Sequence, residues 1–240
     1  MTTEHDQPAV ADRYADLIDQ GVYSGTFVHA APERNLVEHV LRPIVASLTS
    51  PDNRILDAGC GPGAWLQEVA RFADEEGTSP QLFAFDLTPG MVDLTAQRLA
   101  DRPRPPAVQV GDVLDPSAYR FDGVDAFDLV YAFDVVQQLP KASQLRAVET
   151  MLHAVAPGGT LVVFDHDRTS RYGRTMGLKK WVTRHTPIGL VPRYYIESAY
   201  PPLARFAERV DRSPGLRATI RGVPDSPKRA LVVNRLVGVD

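Results

Sequence analysis

Residues 55–65 have the sequence ILDAGCGPGAW, in which an acid is followed two residues later by the first of three glycines at alternate positions. The glycines are Gly59, Gly61 and Gly63, and the acid is Asp57. Because glycine loses more conformational entropy on folding than any other residue, such a cluster indicates a backbone that turns tightly or lets a ligand approach closely. A glycine turn between a strand and a helix can hold a ligand at the helix N-terminus.

Three further carboxylates fall at or just past the ends of strand-like segments, namely Asp86, Asp112 and Asp134. In open parallel sheets the ligand lies beyond the carboxyl ends of the strands, so we expect these acids near the glycine turn. A carboxylate can accept two hydroxyl hydrogen bonds at once, and charge-assisted bonds are the stronger kind.

The elements that position these residues alternate along the chain. Apolar patterns predict strands at 54–56, 81–85, 107–110, 127–132 and 160–164, and helices at 33–48, from 64 to about 72, 88–100 and 141–155. Strands separated by helices indicate an α/β protein with a doubly wound, mostly parallel sheet covered on both faces. The alternation breaks at 166–200, after which a helix at 202–210 and strands at 216–221 and 229–236 are predicted.

Composition narrows the class of protein. The 240 residues, 44% of them hydrophobic, suffice for one core or for one core with a small cap. A net charge of −4 disfavours a general nucleic-acid-binding protein. Cys60 is the only cysteine, so no intrachain disulfide can form, and the sequence contains no apolar leader or membrane-length apolar run. We therefore expect a soluble cytoplasmic protein.

The glycine spacing separates two kinds of cofactor loop. Dinucleotide-binding loops have the form G-x-G-x-x-G, which this turn does not match. It resembles instead the cofactor loop of class I S-adenosylmethionine-dependent methyltransferases. Four later segments, at 82–91, 108–115, 127–140 and 152–165, are similar to the following motifs of that family and occur in its order.

This resemblance implies a cofactor, S-adenosylmethionine, and roles for individual residues. The glycine turn would hold the amino-acid half of the cofactor, Asp86 its ribose hydroxyls and Asp112 its adenine amino group, with a backbone contact from Val113. The implied cofactor-binding residues are Asp57, Gly59, Gly61, Gly63, Asp86, Leu87, Asp112, Val113 and Phe133. Trp65 is expected in the core rather than against the adenine, whereas Phe133 could line the cofactor or simply pack. No His or Cys cluster supports a metal site.

The resemblance also implies the architecture. It predicts a seven-stranded sheet with an antiparallel last strand, within one domain spanning 1–240. The parts of that domain would be an N-terminal helical cap at 1–50, a cofactor-binding core at 51–165, a lid after strand five at 166–200, and a C-terminal helix and strand pair at 201–240. Tyr14 and Tyr23 lie in the cap, where they could close over the cofactor or simply pack.

Methyl transfer from a sulfonium is an in-line displacement, in which the protein mainly aligns the nucleophile and removes water. A hydroxyl acceptor benefits from a general base, whereas an amine needs only its neutral form. His29, His166 and His185 remain as candidate bases once the loose terminus and the helix-surface histidines are set aside. We single out His166, which directly follows strand five, and Asp134; the alternative for His166 is a polar loop residue.

Residues 166–195 form an unusual basic and aromatic segment. Its charges comprise one acid, Asp167, against Arg168, Arg171, Arg174, Lys179, Lys180, Arg184 and Arg193. Three interpretations remain open: a lid over a small aromatic or anionic metabolite, a surface that meets a membrane to reach a lipid or quinone, and a patch for nucleic acid or an acidic carrier protein. Gly173, Gly177 and Pro187 count against a long amphipathic helix there. The sequence does not specify an oligomeric state.

The favoured function is S-adenosylmethionine-dependent methylation of an oxygen or nitrogen of a small organic metabolite, with natural-product biosynthesis suggested by the breadth of the family. Two other classes stay open: a nicotinamide-dependent oxidoreductase and a protein that binds S-adenosylmethionine without methylating. Fold alone does not decide among these functions.

Overall fold

The computed structural model describes residues 7–20, 31–186, 188–190 and 198–238. The strands are β1 (Arg54–Ala58), β2 (Gln81–Asp86), β3 (Ala107–Val110), β4 (Phe127–Phe133), β5 (Val155–Asp165), β6 (Leu216–Arg221) and β7 (Arg229–Arg235). The α-helices are α1 (Gln7–Asp19), α2 (Ala31–Ser47), α3 (Ala64–Glu75), α4 (Pro89–Arg98), α5 (Gln144–His153), α6 (Arg171–His185) and α7 (Leu203–Val210). Short 3₁₀ turns lie at Pro116–Tyr119 and Val136–Gln138.

All seven strands form one sheet in the order β3-β2-β1-β4-β5-β7-β6. β1 to β5 are parallel, and β7 runs antiparallel to both β5 and β6. The predicted α/β class, the mostly parallel sheet and the antiparallel last strand are therefore confirmed. The strand order reverses at β1, which pairs with β2 on one side and β4 on the other, and a crevice is expected beyond the carboxyl ends of these strands.

Helices cover both faces of the sheet. On one face α2 and α3 pack on alternate strand residues such as Ile55 and Tyr131, and on the other α5 and α7 pack on Leu56 and Val130. Strands buried on both faces are apolar without alternation, which explains the continuous runs in β1 and β4. The helices thus fix the sheet while leaving its carboxyl edge open for a ligand.

The start of β5 differs from the prediction. A helix was predicted up to residue 155 and a strand only from 160, with Pro157-Gly158-Gly159 between them, but α5 ends at His153 and β5 already begins at Val155. The strand absorbs the three residues through a shift in register, because Phe127 pairs with Val155 whereas Leu129 pairs with Thr160. Gly158 has a positive φ of 84° in this irregular stretch, a conformation that glycine adopts readily.

Helix α6 includes both Gly173 and Gly177, which were expected to count against a long amphipathic helix there. The helix that forms has no buried apolar face, since Leu178 and Trp181 are exposed among its basic residues. The Ser170 hydroxyl caps the helix by accepting a hydrogen bond from Gly173 N at 3.0 Å. Gly173 packs directly on the preceding loop, where an added Cβ would lie 2.1 Å from the Asp167 carbonyl oxygen. Pro187 and Arg193 lie outside the described residues.

The N-terminal helix lies over the carboxyl edge of the sheet. The Arg13 guanidinium in α1 donates a hydrogen bond to Gln138 Oε1 at 2.9 Å, which ties α1 to the turn after β4. The cap at 1–50 stays a prediction, and Tyr23 and His29 lie outside the described residues. Among the helices of the described chain, none is long and apolar enough to cross a bilayer.

Candidate active site

A cavity of about 460 Å³ lies at the carboxyl ends of β1, β2 and β4. Its walls are the loops that follow these strands, with Tyr14 of α1, Tyr172 of α6 and His166 at the end of β5. The volume falls within the range of about 300–1,000 Å³ that is usual for small-molecule sites. The cavity therefore occupies the crevice that the strand order predicts.

The glycine turn forms one wall of the cavity. Gly59, Gly61 and Gly63 all have positive φ, of 85°, 52° and 77°. A Cβ at Gly59 would lie 2.5 Å from a methyl of Val135, whereas a Cβ at Gly61 would meet nothing within 4 Å. The main chain at Gly61 thus faces open space, which is what close approach of a ligand requires.

Gly63 differs from Gly59 and Gly61 in its structural role. It does not line the cavity but starts α3, where an added Cβ would lie 2.8 Å from the Thr95 hydroxyl. Gly59 and Gly61 do line the cavity. Of the three glycines that the family resemblance implicates in cofactor binding, Gly63 therefore acts through helix packing.

Asp86 joins the glycine turn to β2. Its Oδ2 accepts a hydrogen bond from Gly61 N at 2.8 Å, and its Oδ1 accepts one from Thr88 N at 2.9 Å. Burial raises the pKa of Asp86, and the backbone N–H groups of Thr88 and Gly61 oppose that shift. Since a carboxylate has about four acceptor sites, it can still accept hydroxyl groups of a ligand in the cavity.

Asp57 lies at the base of the turn, almost fully buried. Its Oδ2 accepts a hydrogen bond from the Tyr131 hydroxyl at 2.9 Å. Burial raises its pKa to about 8, so the carboxyl group is mostly neutral at pH 7. Asp57 borders the cavity, as predicted, but as a neutral group within the core.

The remaining predicted cofactor residues also line the cavity, namely Leu87, Asp112, Val113 and Phe133. Asp112 Oδ1 accepts a hydrogen bond from Leu114 N at 2.9 Å, so this acid also shapes its own loop. The Phe133 ring lies 4.5 Å from the Trp65 ring, centroid to centroid, and combines packing with lining. Trp65 is buried in the core, as expected, and its edge reaches the cavity.

Asp134 belongs to an ion cluster that sequence reasoning missed, formed with Glu33 and Lys228 and called here the Lys228 cluster. The Lys228 ammonium is 4% exposed; it contacts Asp134 Oδ2 and lies 2.6 Å from Glu33 Oε1. Burial lowers the pKa of Lys228, but the two facing carboxylates raise it further, so its pKa lies above its ordinary value. Asp134 also has a positive φ of 60°, a conformation that Asp tolerates better than most residues.

His166 directly follows β5, and its ring stacks on two tyrosines. Its ring centroid is 5.4 Å from that of Tyr172 and 4.5 Å from that of Tyr200. Burial, followed by the nearby charges of Lys228 and Lys180, lowers the pKa of His166 to about 3. The imidazole is therefore neutral throughout the physiological pH range, and it lines the cavity.

Asp134, Asp165 and His166 bring three potential metal-ligand atoms within 4.8 Å of one another, a trio that was not foreseen. The Asp134 carboxylate already contacts the Lys228 ammonium. Both Asp165 oxygens accept backbone hydrogen bonds, from Gln137 N and His166 N, each at 3.0 Å. These contacts account for the two carboxylates, and His166 Nδ1 lies 3.2 Å from Gln137 Oε1.

Comparison with known proteins identifies the class. A family model described as "Methyltransferase domain" matches residues 55–159. Residues 55–159 therefore form a methyltransferase domain, and the surrounding sheet has the fold of class I S-adenosylmethionine-dependent methyltransferases. The family resemblance drawn from the sequence is confirmed. A curated relative, magnesium-protoporphyrin O-methyltransferase of Rhodobacter capsulatus, is 33% identical over 108 residues, which are 43% of this chain and 45% of the relative. The match thus spans less than half of that relative's length.

Solved structures with this fold are similar over nearly the whole chain. Magnesium protoporphyrin IX methyltransferase (ChlM) from Synechocystis PCC 6803, solved with bound SAH, has a TM-score of 0.68 at 16% identity and covers 96% of this chain and 100% of its own. The [4+2]-cyclase SpnF has a TM-score of 0.63 at 16% identity and covers 98% of each chain. At these identities the likeness concerns the fold alone, and it extends to a protein named for a different reaction.

Replacing Asp86 by Ala is expected to weaken binding of S-adenosylmethionine by about 1.5–3 kcal/mol, the scale of a charged hydrogen bond. The substitution removes the carboxylate offered to the ligand and also frees Gly61 N from its partner. Isothermal titration calorimetry measures the change. Asp93→Ala, which removes an exposed carboxylate on α4, is the matched control and should leave the affinity unchanged. Equal affinity of Asp86→Ala and wild type would remove Asp86 from the site.

Proposed function

We propose that the protein is an S-adenosylmethionine-dependent methyltransferase that methylates an oxygen of a small aromatic or anionic acceptor. One observation carries the proposal: a single cavity joins the glycine turn and Asp86 to the neutral imidazole of His166. The first two suit a nucleoside donor, and the third suits a hydroxyl acceptor. A role in natural-product biosynthesis is part of the proposal and rests on the breadth of the family.

The residues of the cavity fit the donor. The open space over Gly61 admits a ligand against the main chain, and Asp86 offers acceptors for ribose hydroxyls. Leu87, Val113 and Phe133 supply apolar surface for a flat base. When bound, S-adenosylmethionine would supply an activated methyl group whose carbon–sulfur bond breaks as the bond to the acceptor oxygen forms.

The contribution of the protein to the chemistry lies in alignment and proton transfer. We assign His166 as the group that receives the acceptor's hydroxyl proton, because its ring is neutral and borders the cavity. Asp134, the second predicted catalytic residue, is occupied by Lys228 and the Gln137 amide, and we assign it a positioning task instead. Burial of these groups beneath α1 and α6 would exclude water from the reaction.

Two features support the acceptor class. Aromatic rings of Tyr14, Phe133 and Tyr172 line the cavity, which favours a flat ring system, and the basic residues of α6 favour negative charge. The R. capsulatus relative is named for an O-methylation, which supports an oxygen acceptor. The Synechocystis protein was solved with SAH, which supports the choice of donor.

Methyl transfer from labelled S-adenosylmethionine to a panel of phenols and aromatic acids tests the proposal. We expect label in at least one acceptor and tight binding of the donor in calorimetry. Donor binding without transfer to any acceptor would favour the non-methylating alternative, to which the fold likeness of SpnF gives weight. Binding of NADH without binding of S-adenosylmethionine would contradict the assignment and favour a nicotinamide-dependent oxidoreductase.

A second candidate function is methylation of a lipid or quinone at a membrane surface. In the described part of the segment after β5, large apolar side chains are exposed beside the basic ones: Leu178 is 63% exposed, Trp181 58% and Ile188 56%. Arg174 and Arg184 lie on the same helix. Exposed Trp and Leu side chains next to basic ones can contact an anionic bilayer, although α6 does not separate an apolar face from a basic face as typical interfacial helices do.

Co-sedimentation with vesicles tests this candidate. We expect the protein to pellet with phosphatidylglycerol vesicles but not with phosphatidylcholine vesicles, and the double variant Leu178→Ser, Trp181→Ser to remain in the supernatant. Val237→Ser, which removes an exposed apolar side chain elsewhere, is the matched control and should pellet like wild type. Absence of wild-type protein from the anionic vesicle pellet would leave only the small-metabolite proposal.

A further inference from the structure

We propose that Gln137 is a positioning residue that fixes the His166 imidazole in one tautomer, with the hydrogen on Nδ1 and the lone pair on Nε2. The use of that lone pair, which is to receive a proton from the acceptor, rests on the proposed function, whereas the tautomer itself does not. Its geometric basis is a chain of contacts that runs from the Lys228 cluster through the Gln137 amide to the ring.

The Gln137 side chain has little freedom to reorient. The residue lies in the short turn Val136–Gln138 and is 7% exposed. Its backbone is fixed at both polar groups, because Gln137 N donates to Asp165 Oδ2 at 3.0 Å and its carbonyl accepts from Ala199 N at 2.8 Å. The amide therefore sits in one place between Asp134 and His166.

The chemistry of Asp134 decides which way the amide faces. Burial raises the pKa of this carboxyl group, and the contacting Lys228 ammonium opposes that rise and favours the ionised form. An ionised carboxylate can only accept hydrogen bonds. The amide nitrogen Nε2 of Gln137 must therefore face Asp134, and it donates to Oδ1 at 2.9 Å. The amide oxygen is left facing the histidine.

The orientation of the amide decides the tautomer. Gln137 Oε1 lies 3.2 Å from His166 Nδ1, and an amide oxygen can only accept. Nδ1 must then carry the hydrogen. Because burial keeps the ring neutral, it has only one N–H, and Nε2 is left with a lone pair. Within the described chain no hydrogen bond to Nε2 is formed.

Stacking holds the His166 ring in place, and the hydrogen bond to Gln137 selects its tautomer. Tyr172 and Tyr200 both stack on it, and the Lys180 ammonium lies 3.7 Å from the centroid of the Tyr200 ring. Lys180 is anchored by donating to the carbonyl and the hydroxyl of Ser198. The stacking fixes the plane of the imidazole, and Gln137 determines which nitrogen can receive a proton. A free imidazole side chain prefers the opposite tautomer, with hydrogen on Nε2.

Two-bond ¹H–¹⁵N correlation spectra of the uniformly ¹⁵N-labelled full-length protein test the inference without donor or acceptor. His166 signals are assigned by their loss in His166→Gln. We expect a protonated-type Nδ1 and a lone-pair-type Nε2 in wild type. In Gln137→Met, which is similar in length but lacks the amide, we expect the Nε2–H tautomer to become the major form.

A matched variant completes the experiment. Gln138→Met makes the same change in the neighbouring residue, whose amide accepts from Arg13, and should leave the His166 signals unaltered. A wild-type Nε2–H tautomer, or an unchanged tautomer in Gln137→Met, would overturn the inference. Failure of methyl transfer would overturn the proposed function alone, because these spectra need no turnover.

Discussion

Replacing Lys228 by Met is expected to lower the free energy of unfolding by about 3 kcal/mol. The ammonium is buried between two carboxylates, and its removal leaves Asp134 and Glu33 facing each other without a cation. Removing one partner of a fully buried pair costs about 3–5 kcal/mol, and we expect the lower end because both carboxylates keep some contact with solvent. Urea denaturation at pH 7 measures the difference.

The same experiment at lower pH checks the cause. Burial raises the pKa of Asp134, and removal of the Lys228 ammonium, which opposes that rise, raises it further above the unfolded value. The deficit is therefore fully present above the folded pKa of Asp134 and shrinks as the pH falls and Asp134 is protonated. The variant should therefore lie closer to wild type at pH 5 than at pH 7. Lys179→Met, at an exposed position on α6, is the control and should change stability little. A deficit that is equal at both pH values would contradict an electrostatic origin.

Replacing His166 by Ala is expected to lower turnover by about 100-fold, at the lower end of the range for general acid–base catalysis. A pKa of about 3 makes the imidazole a weak base. It is still sufficient, because an acceptor oxygen that is bonding to a methyl group becomes strongly acidic and gives up its proton readily. Steady-state kinetics with an accepted hydroxyl substrate measure the loss, and calorimetry should show donor affinity within about twofold of wild type.

The pH profile supplies the control for this assignment. Since the ring stays neutral above about pH 4, His166 should cause no fall in turnover between pH 8 and pH 5. His153→Ala removes an exposed imidazole on α5 and should leave turnover unchanged. Full activity of His166→Ala across this pH range would end the role of His166 as base. An acidic limb near pH 6.5 that disappears in the variant would contradict the buried neutral ring.

The parts of the fold that are set by local pattern were predictable from sequence. Strands such as β3 appear at their predicted limits, because a short, mostly apolar run bounded by turn residues marks a strand even at the edge of the sheet. β5 was placed too late, since Pro157–Gly159 is typical of a chain break. Only pairing with β4 reveals that the strand accommodates these residues with a shift in register.

The candidate site likewise contains some residues that were predictable from sequence and others that were not. Asp57, Asp86 and Asp112 lie at or just past the carboxyl ends of consecutive parallel strands, and topology alone brings such residues to one edge. Lys228 could not be found by this reasoning, because it is separated from Asp134 by 94 positions and precedes a strand with no motif of its own. Gln137 lay within a segment already noted, but its importance depends on the direction of an amide, which only its neighbours determine.

The position of β7 between β5 and β6 has a consequence for how the protein is made. While the chain is being synthesised, β5 leaves the ribosome with β4 already available on one side, but its other side must wait for residues 229–235. Until then β5 is an edge strand with unpaired backbone groups and a strongly apolar sequence, which is the kind of segment that pairs with other chains. β6 emerges earlier but has no position beside β5, so the sheet closes only when β7 inserts between them. Aggregation of nascent chains stalled before residue 229 is therefore expected to exceed that of chains stalled after residue 235.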